Sequence, residues 1–235
     1  CVYHRGEIVV DLWGGLADQA ARTPWTADSL IVVFSATKGL TAMALNLAAE
    51  RGMFDWDTSV ARYWPAFGQA GKQHITVRQL FNHRAGLGGI TTPLSLAQLC
   101  DPAQADSVRS ALERQAPAWP ADTQQGYHGI SYGLYATAFF EQVCGEPLHT
   151  FLHREYLDPL GADVFMGTPA AQDHRVATLY PCSRASLLGK MAWAAVRGGS
   201  TETHVGRSLL RGGHARQAFV NPPTPGGIGV YNQLP

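Results

Sequence analysis

Apolar residues recur at helical spacing between residues 36 and 48, and they mark the clearest element of the chain. The set is Ala36, Leu40, Met43, Ala44, Leu47 and Ala48. Side chains three or four positions apart share one face of a helix, so this pattern predicts a helix with one buried face. Gly52 follows a polar pair and suits the left-handed residue that ends a helix. The apolar run 30–34 before this helix predicts a buried strand or an extended segment.

The rest of the chain shows weaker patterns of the same kinds. β-Branched residues within the first fifteen positions predict a hairpin that turns near Gly6. Helices are predicted over 106–115, between flanks rich in helix breakers, and over 134–143, where apolar residues keep helical spacing. Residues 176–180 are apolar enough to return to the core. The sequence therefore predicts strands at the start and a mostly helical middle.

Ser35 and Lys38 stand three residues apart at the start of the first predicted helix. Positions i and i+3 face the same side of a helix, so the lysine amine can reach the serine hydroxyl. A serine is a weak nucleophile until a base takes its proton, and a lysine serves only in its neutral form, which burial or nearby positive charge favours. The alternative is a serine that caps a core helix beside a lysine that extends to solvent.

Several longer stretches resemble the β-lactamase-related serine hydrolases. They occur in the expected order between residue 1 and about residue 175, and the stretch 75–87, Ile-Thr-Val-Arg-Gln-Leu-Phe-Asn-His-Arg-Ala-Gly-Leu, is the most specific. The group that the chain resembles most is the family VIII carboxylesterases, which share the fold of class C β-lactamases and D-alanyl-D-alanine carboxypeptidases. The matching stretches are 34–40, 52–60, 63–65, 75–87, 126–133 and 158–161.

This resemblance implies a fold and an activity. The expected fold is α/β (α+β), with an antiparallel sheet flanked by helices and a mostly helical region. The expected activity is hydrolysis of short-chain esters through an acyl-enzyme on Ser35, with Lys38 and Tyr127 as the general base. Because the unperturbed pKa of tyrosine is about 10, Tyr127 needs a nearby cation to serve as a base at neutral pH.

Two departures from the family pattern define the alternatives. Penicillin-binding relatives carry Tyr-x-Asn where this chain has Tyr127-His128-Gly129, which favours esters over lactams. The third family element, Lys-Thr-Gly or His-x-Gly on an edge strand, has no convincing copy, because His204-Val205-Gly206 follows Tyr127 too closely. A β-lactamase or D-amino-acid peptidase, and a non-catalytic fragment or binding scaffold, therefore stay as alternatives.

Two further residues are predicted to bind substrate. His128 adjoins the tyrosine and could line the acyl or alcohol pocket, with an ordinary loop histidine as the alternative. Trp119 lies in a breaker-rich loop and could line an apolar acyl pocket, although a packing tryptophan is the default expectation.

A second serine motif competes with Ser35. The residues 129–133 read Gly-Ile-Ser-Tyr-Gly and match the nucleophile elbow of α/β-hydrolases, with Asp173 and His174 downstream as partners. The elbow requires a buried strand directly before its serine. Residues 119–126 are polar and rich in breakers instead. The sequence therefore favours Ser35 over Ser131.

Histidines and carboxylates suggest little other chemistry. The family resemblance implies that His83 is structural, and this histidine lies at the end of a helix that Thr76 and Gln79 open as a capping box. His149 and His153 are four apart without an acidic third ligand nearby, so no metal site is predicted. No phosphate loop or dinucleotide fingerprint is present, and no cofactor is expected.

Composition fits an enzyme domain that binds a neutral small molecule. The 18 basic and 18 acidic residues balance, which gives no reason to expect nucleic acid or a membrane as a partner. The four cysteines are irregularly spaced, which favours free thiols and a cytoplasmic location. The predicted organisation is one partial domain over 1–235, divided into 1–34, 35–175 and 176–235. The domain is expected to be incomplete at both ends, because the hairpin begins mid-strand and the family's closing strands have no match. A complementary C-terminal segment is the expected partner.

Overall fold

The computed structural model of the protein describes residues 1–99 and 101–180. Two small antiparallel sheets come first, and each contains two strands. The strands are β1 (Val2–His4), β2 (Glu7–Val10), β3 (Leu16–Asp18) and β4 (Thr23–Pro24). The helices are α1 (Thr37–Glu50), α2 (Val60–Tyr63), α3 (Val77–Phe81), α4 (Leu96–Leu99), α5 (Ala105–Arg114), α6 (Ser131–Cys144) and α7 (Leu148–Leu152).

The hairpin predicted at the start of the chain is present. β1 and β2 pair antiparallel, with Tyr3 opposite Ile8. Arg5 and Gly6 form the turn with φ of 52° and 85°, and two successive positive φ values are typical of a type I′ turn, whose twist matches that of the strands. All the side chains of both strands are exposed. The complementary segment expected to cover them stays a prediction.

Of the two alternatives predicted for residues 30–34, a buried strand and an extended segment, the buried strand is wrong, and within the run only Leu30 joins a strand partner. Leu30 forms a single parallel bridge to Val176. Ile31 and Val33 are 51% and 44% exposed. The chain then turns at Phe34, whose φ is +47°, so the run leaves extended geometry instead of continuing as a strand. Of the residues 176–180 predicted to return to the core, Ala177 is buried next to this bridge, whereas Tyr180 is 45% exposed.

Helix α1 forms and ends where the sequence predicts. A 3₁₀ turn, Phe34–Ala36, leads into it, and Gly52 follows its last turn with φ of +75°. The buried face is rotated from the predicted one, since Ala36 and Met43 are exposed. The residues actually buried are Thr37, Thr41, Ala44, Leu45 and Ala48. Helices α6 and α7 both pack against α1.

Helix α6 lies at the centre of the core. Tyr135, Phe139 and Phe140 on this helix are fully buried. Phe139 makes edge-to-face contacts with Phe54 and Tyr63 at centroid distances of 5.2 and 6.0 Å. Full burial of an aromatic side chain stabilises a fold by roughly 1.5–3 kcal/mol. The N-terminus of α6, which carries the residues after Tyr127, is therefore held by a rigid core.

Two other predicted helices are also confirmed. Helix α5 matches the predicted span 106–115 to within one residue at each end. Helix α3 opens with the predicted capping box, because Thr76 accepts from the Gln79 N–H and the Gln79 side chain accepts from the Thr76 N–H. The loop after α3 begins at His83, whose φ of +67° turns the chain sharply.

Lys72 is buried in the core although it takes no part in the predicted chemistry. Its Nζ donates to the carbonyls of Glu113 and Gln115, both at 2.6 Å. Gln115 in turn accepts from the Thr91 N–H at 2.6 Å. Burial lowers the pKa of Lys72 to about 8. Lys72 therefore binds the end of α5 and the start of the loop that carries Trp119 through hydrogen bonds.

Lys72→Met is expected to lower the free energy of unfolding by about 1–3 kcal/mol, because two buried carbonyls lose their donor. The folded-state pKa of about 8 lies below the reference value of 10.5, so the unfolded chain holds more protons between these values. The stability difference between parent and variant should therefore widen as the pH rises from 8 to 10. Urea unfolding at both pH values measures it, and equal stability of the two proteins would contradict it.

Candidate active site

Ser35 lies in the 3₁₀ turn that precedes α1, with its side chain exposed. Phe34 before it has φ of +47°, an uncommon conformation for a residue with a side chain. Strained backbone of this kind clusters at functional sites, where the surrounding structure holds it. The turn presents the Ser35 hydroxyl at the N-terminus of α1.

Lys38 lies one turn after Ser35, on the same side of the helix. Its Nζ donates to Ser35 Oγ at 3.1 Å and to the Gly129 carbonyl at 2.9 Å. The ammonium also lies 4.9 Å from the centroid of the Tyr127 ring and 5.7 Å from that of Tyr132. These contacts fix Lys38 between the candidate nucleophile and the loop that precedes α6.

Tyr127 reaches Ser35 from that loop. Its hydroxyl donates to Ser35 Oγ at 2.6 Å, which is a short and well-formed hydrogen bond. Partial burial raises the pKa of Tyr127, but hydrogen bonds with Ser35 and Lys38 and the positive charge of Lys38 lower it by more. The pKa of Tyr127 is therefore below its ordinary value. The structure thus brings the three predicted residues into direct contact.

The loop that carries Tyr127, called the tyrosine loop below, includes residues 117–128. Backbone hydrogen bonds to residues 83–88 hold it in place. The N–H of Ala118 donates to the Gly86 carbonyl at 2.8 Å, and the N–H of Asp122 donates to the Arg84 carbonyl at 3.0 Å. Gly86 has φ of +71°, and a Cβ there would lie 2.6 Å from the Trp119 carbonyl oxygen. This close approach requires glycine, so the Ala-Gly-Leu part of the 75–87 stretch has a packing role.

Trp119 is partly buried and packs beside the tyrosine. A Cβ on Gly126 would lie 2.5 Å from Cη2 of the Trp119 ring, so the indole covers the residue directly before Tyr127. This position is compatible with the predicted wall of an acyl pocket. The role of Trp119 in binding substrate stays a prediction.

His128 is fully buried, although it was predicted to bind substrate. Its Nε2 accepts from the Leu87 N–H at 3.2 Å, and its ring lies 5.3 Å from that of His83. Burial lowers the pKa of His128 to about 4. The contacts are therefore those of the alternative, a loop histidine with structural partners.

Ser131, the competing serine, is buried at the first position of α6. Its Oγ donates to the Leu87 carbonyl at 2.6 Å, and the residue is 1% exposed. No strand precedes it within the described residues 101–130. A nucleophile elbow needs both a strand and an exposed hydroxyl, so this serine lacks the geometry for attack.

The part of the chain that the structure describes contains neither a candidate metal site nor a candidate membrane-spanning helix. Within residues 1–99 and 101–180, no group of three or more histidine, cysteine, aspartate or glutamate side chains could hold a metal ion. Over the same residues, no helix combines the length and apolar character needed to cross a bilayer. His204-Val205-Gly206, which was considered and rejected as the third family element, lies outside the described residues.

The sequence did not predict every contact in this site. The carbonyl of Gly129 binds Lys38, but a backbone oxygen leaves no signal in residue identity. His83 was expected to be structural, yet its partners could not be named, because its Nδ1 accepts from the backbone of His128, 45 residues away. The glycines at 86 and 126 were the available signal that two backbones approach closely here.

The chain has a β-lactamase/transpeptidase-like fold, with the hairpin at its start and helix α6 at the centre of its core. The chain belongs to the Beta-lactamase family, whose sequence profile matches residues 1–229. The predicted family and fold class are thereby confirmed.

Individual relatives and solved structures agree with the assignment of the chain to this family. The chain is 38% identical over 175 residues to "Esterase/beta-lactamase LipL" of Mycobacterium tuberculosis, a match that covers 72% of this chain and 39% of that protein. It also resembles the crystal structure of a family VIII carboxylesterase, with 32% identity and a TM-score of 0.72, over 97% of this chain and 57% of that one. A penicillin-binding protein homologue from Caulobacter crescentus gives 35% identity and a TM-score of 0.68, over 72% and 45%. The chain therefore spans about two fifths to three fifths of these relatives.

Proposed function

We propose that this chain carries the acylation centre of a serine carboxylesterase that acts on short-chain esters. The observation that supports it most directly is the convergence of two proton-holding groups on one exposed hydroxyl. Lys38 Nζ and Tyr127 Oη lie 3.1 and 2.6 Å from Ser35 Oγ. A capping serine needs neither contact, whereas a nucleophile needs a base within hydrogen-bond reach.

In the proposed mechanism, Lys38 and Tyr127 share one proton in the reactive state. Ser35 Oγ attacks the ester carbonyl carbon and gives its proton to this pair. The tetrahedral intermediate then expels the alkoxide, which takes the proton back from Tyr127 as it leaves as an alcohol. Water hydrolyses the acyl-Ser35 ester by the same steps in reverse order, and this releases the carboxylic acid. The distance of 2.6 Å between the Tyr127 hydroxyl and Ser35 Oγ supports the proposal that Tyr127 makes both transfers.

Esters are the proposed substrates because of what lies beside the tyrosine. Position 129 is a glycine whose carbonyl binds Lys38, so it has no amide side chain to hold a lactam. Trp119 is the proposed apolar wall for a short acyl chain. The names of two relatives support the ester class, LipL and the esterase EstB of Burkholderia gladioli.

A fluorophosphonate probe tests the nucleophile without knowledge of the natural ester. We expect a single adduct on the peptide that contains Ser35, located by mass spectrometry on the full chain. An adduct on Ser131 would overturn the proposal. Failure to label a sample that unfolds cooperatively would favour the non-catalytic scaffold.

A second candidate activity is β-lactam hydrolysis, favoured by the name of the relative LipL, which includes β-lactamase. Parallel assays with p-nitrophenyl butyrate and nitrocefin separate the two activities. We expect turnover of the ester and little or none of the lactam. Faster nitrocefin turnover would reverse the assignment.

A further inference from the structure

His83 holds the residues on both sides of Tyr127. Its carbonyl accepts from the Gly126 N–H at 3.0 Å, and its Nδ1 accepts from the His128 N–H at 3.2 Å. Its ring also meets the Tyr127 ring at a centroid distance of 5.1 Å. With both neighbours and the ring in contact with His83, Tyr127 has little freedom to move away from Ser35.

His128 continues this arrangement into the core. Its Nε2 accepts from the Leu87 N–H at 3.2 Å, while the Leu87 carbonyl accepts from Ser131 Oγ at 2.6 Å. The loop that carries Tyr127 and Gly129 is therefore tied to residues 83–88 at both of its ends. Gly129 within this loop supplies the carbonyl that binds Lys38.

These bonds determine where each ring carries its proton. An imidazole nitrogen accepts a hydrogen bond only when it holds no proton, so His83 is protonated on Nε2 and His128 on Nδ1. Both rings are then neutral, with opposite tautomers. Burial lowers the pKa of His128, and burial together with the charge of Lys38 lowers the pKa of His83, which agrees with neutral rings.

We propose that His83 and His128 are positioning residues whose neutral, oppositely protonated rings hold Tyr127 on Ser35 and the Gly129 carbonyl on Lys38. The proposal rests on the Ser-Lys-Tyr function above. Neither histidine donates to or accepts from Ser35 in the structure, so both act through the tyrosine loop. A misplacement of about 1 Å at a reacting group can cost roughly 10²-fold in rate.

Amide substitutions test the position of each acceptor. Asparagine places its carbonyl oxygen where a histidine has Nδ1, and glutamine places its oxygen where a histidine has Nε2. At position 83 we expect Asn to keep the Ser35 labelling rate within about three-fold and Gln to lower it about 10–100-fold. At position 128 the order should reverse, with Gln active and Asn impaired.

Opposite preferences for Asn and Gln at positions 83 and 128 would distinguish a positioning role of the two histidines from a packing role. If the rings only filled space, the larger Gln would be the better substitute at both positions, and this result would overturn the proposal. The φ of +67° also favours Asn at position 83, so position 128 gives the cleaner comparison. For each variant, the saturating labelling rate and the probe concentration for half-maximal rate are measured separately. We expect the rate to fall and the half-maximal concentration to change little.

An NMR measurement of the ring nitrogens does not depend on activity. In the full chain at pH 7, ¹⁵N shifts should show the Nε2–H tautomer for His83 and the Nδ1–H tautomer for His128. The reverse tautomers, or a charged ring at either position, would overturn the proposal. Labelling of the parent at a residue other than Ser35 refutes the proposed function, whereas Ser35 labelling at equal rates in all four variants refutes only the positioning role.

Discussion

Ser35→Ala is expected to abolish covalent labelling and to lower the kcat for ester hydrolysis by at least about 10³-fold. The variant removes the hydroxyl oxygen to which both Lys38 and Tyr127 donate. Because Ser35 is exposed, the fold should keep its stability. Steady-state hydrolysis of p-nitrophenyl butyrate and intact-protein mass after probe treatment measure the two effects, and thermal unfolding checks the fold.

Ser131→Ala is the matched control for this experiment, because the two serines are the competing nucleophiles. The Ser131 hydroxyl donates to the buried Leu87 carbonyl, so its loss should cost about 1–3 kcal/mol of stability. Labelling of Ser35 should continue at temperatures where this variant stays folded. The assignment fails if Ser35→Ala keeps its activity while Ser131→Ala loses it.

The sequence predicted those parts of the fold and the site that depend on local spacing. The i to i+3 relation brought Ser35 and Lys38 together, and glycine marked the end of α1 at position 52. The capping box of α3 was also visible in four residues. Each of these features is decided within one or two turns of chain, where side-chain identity and backbone geometry are closely coupled.

Features set by distant segments were harder to predict. Residues 30–34 have strand-like composition, but a buried strand needs neighbours on both faces, and within this run the strand pairing is a single bridge at Leu30. His128 looked like a pocket residue because it adjoins Tyr127. Its ring is instead directed to the Leu87 N–H, and that contact depends on how residues 83–88 fold back on the tyrosine loop. The family resemblance supplied Tyr127 itself, since its contact with Ser35 joins residues 92 positions apart.

Lys38→Met is expected to lower kcat for ester hydrolysis by about 10³-fold with a smaller change in KM. Methionine keeps the length of the side chain but has no proton to share, and it leaves the Gly129 carbonyl without its donor. Loss of the ammonium also removes a positive charge that lowers the pKa of Tyr127. The effect should therefore appear in both the size and the pH dependence of kcat.

The direction of the pH shift follows from the role of Tyr127. If the Lys38–Tyr127 pair must lose a proton before it can act as the base, activity rises with pH through the pKa of the pair. The parent should show this rise below the ordinary tyrosine value of 10.0, because Lys38 lowers the pKa of Tyr127. In Lys38→Met the rise should move to higher pH. If kcat rises at the same pH in the parent and in Lys38→Met, Lys38 does not lower the pKa of Tyr127.

The double variant Lys38→Met/Tyr127→Phe tests whether the two residues form one unit. Tyr127→Phe removes the hydroxyl that lies 2.6 Å from Ser35 but keeps the ring against His83 and Lys38. Residues that share one proton give strongly non-additive losses, so the double variant should be about as impaired as the worse single variant. Losses that multiply would instead mean two independent contributions, with Lys38 and Tyr127 acting at separate steps on the same serine.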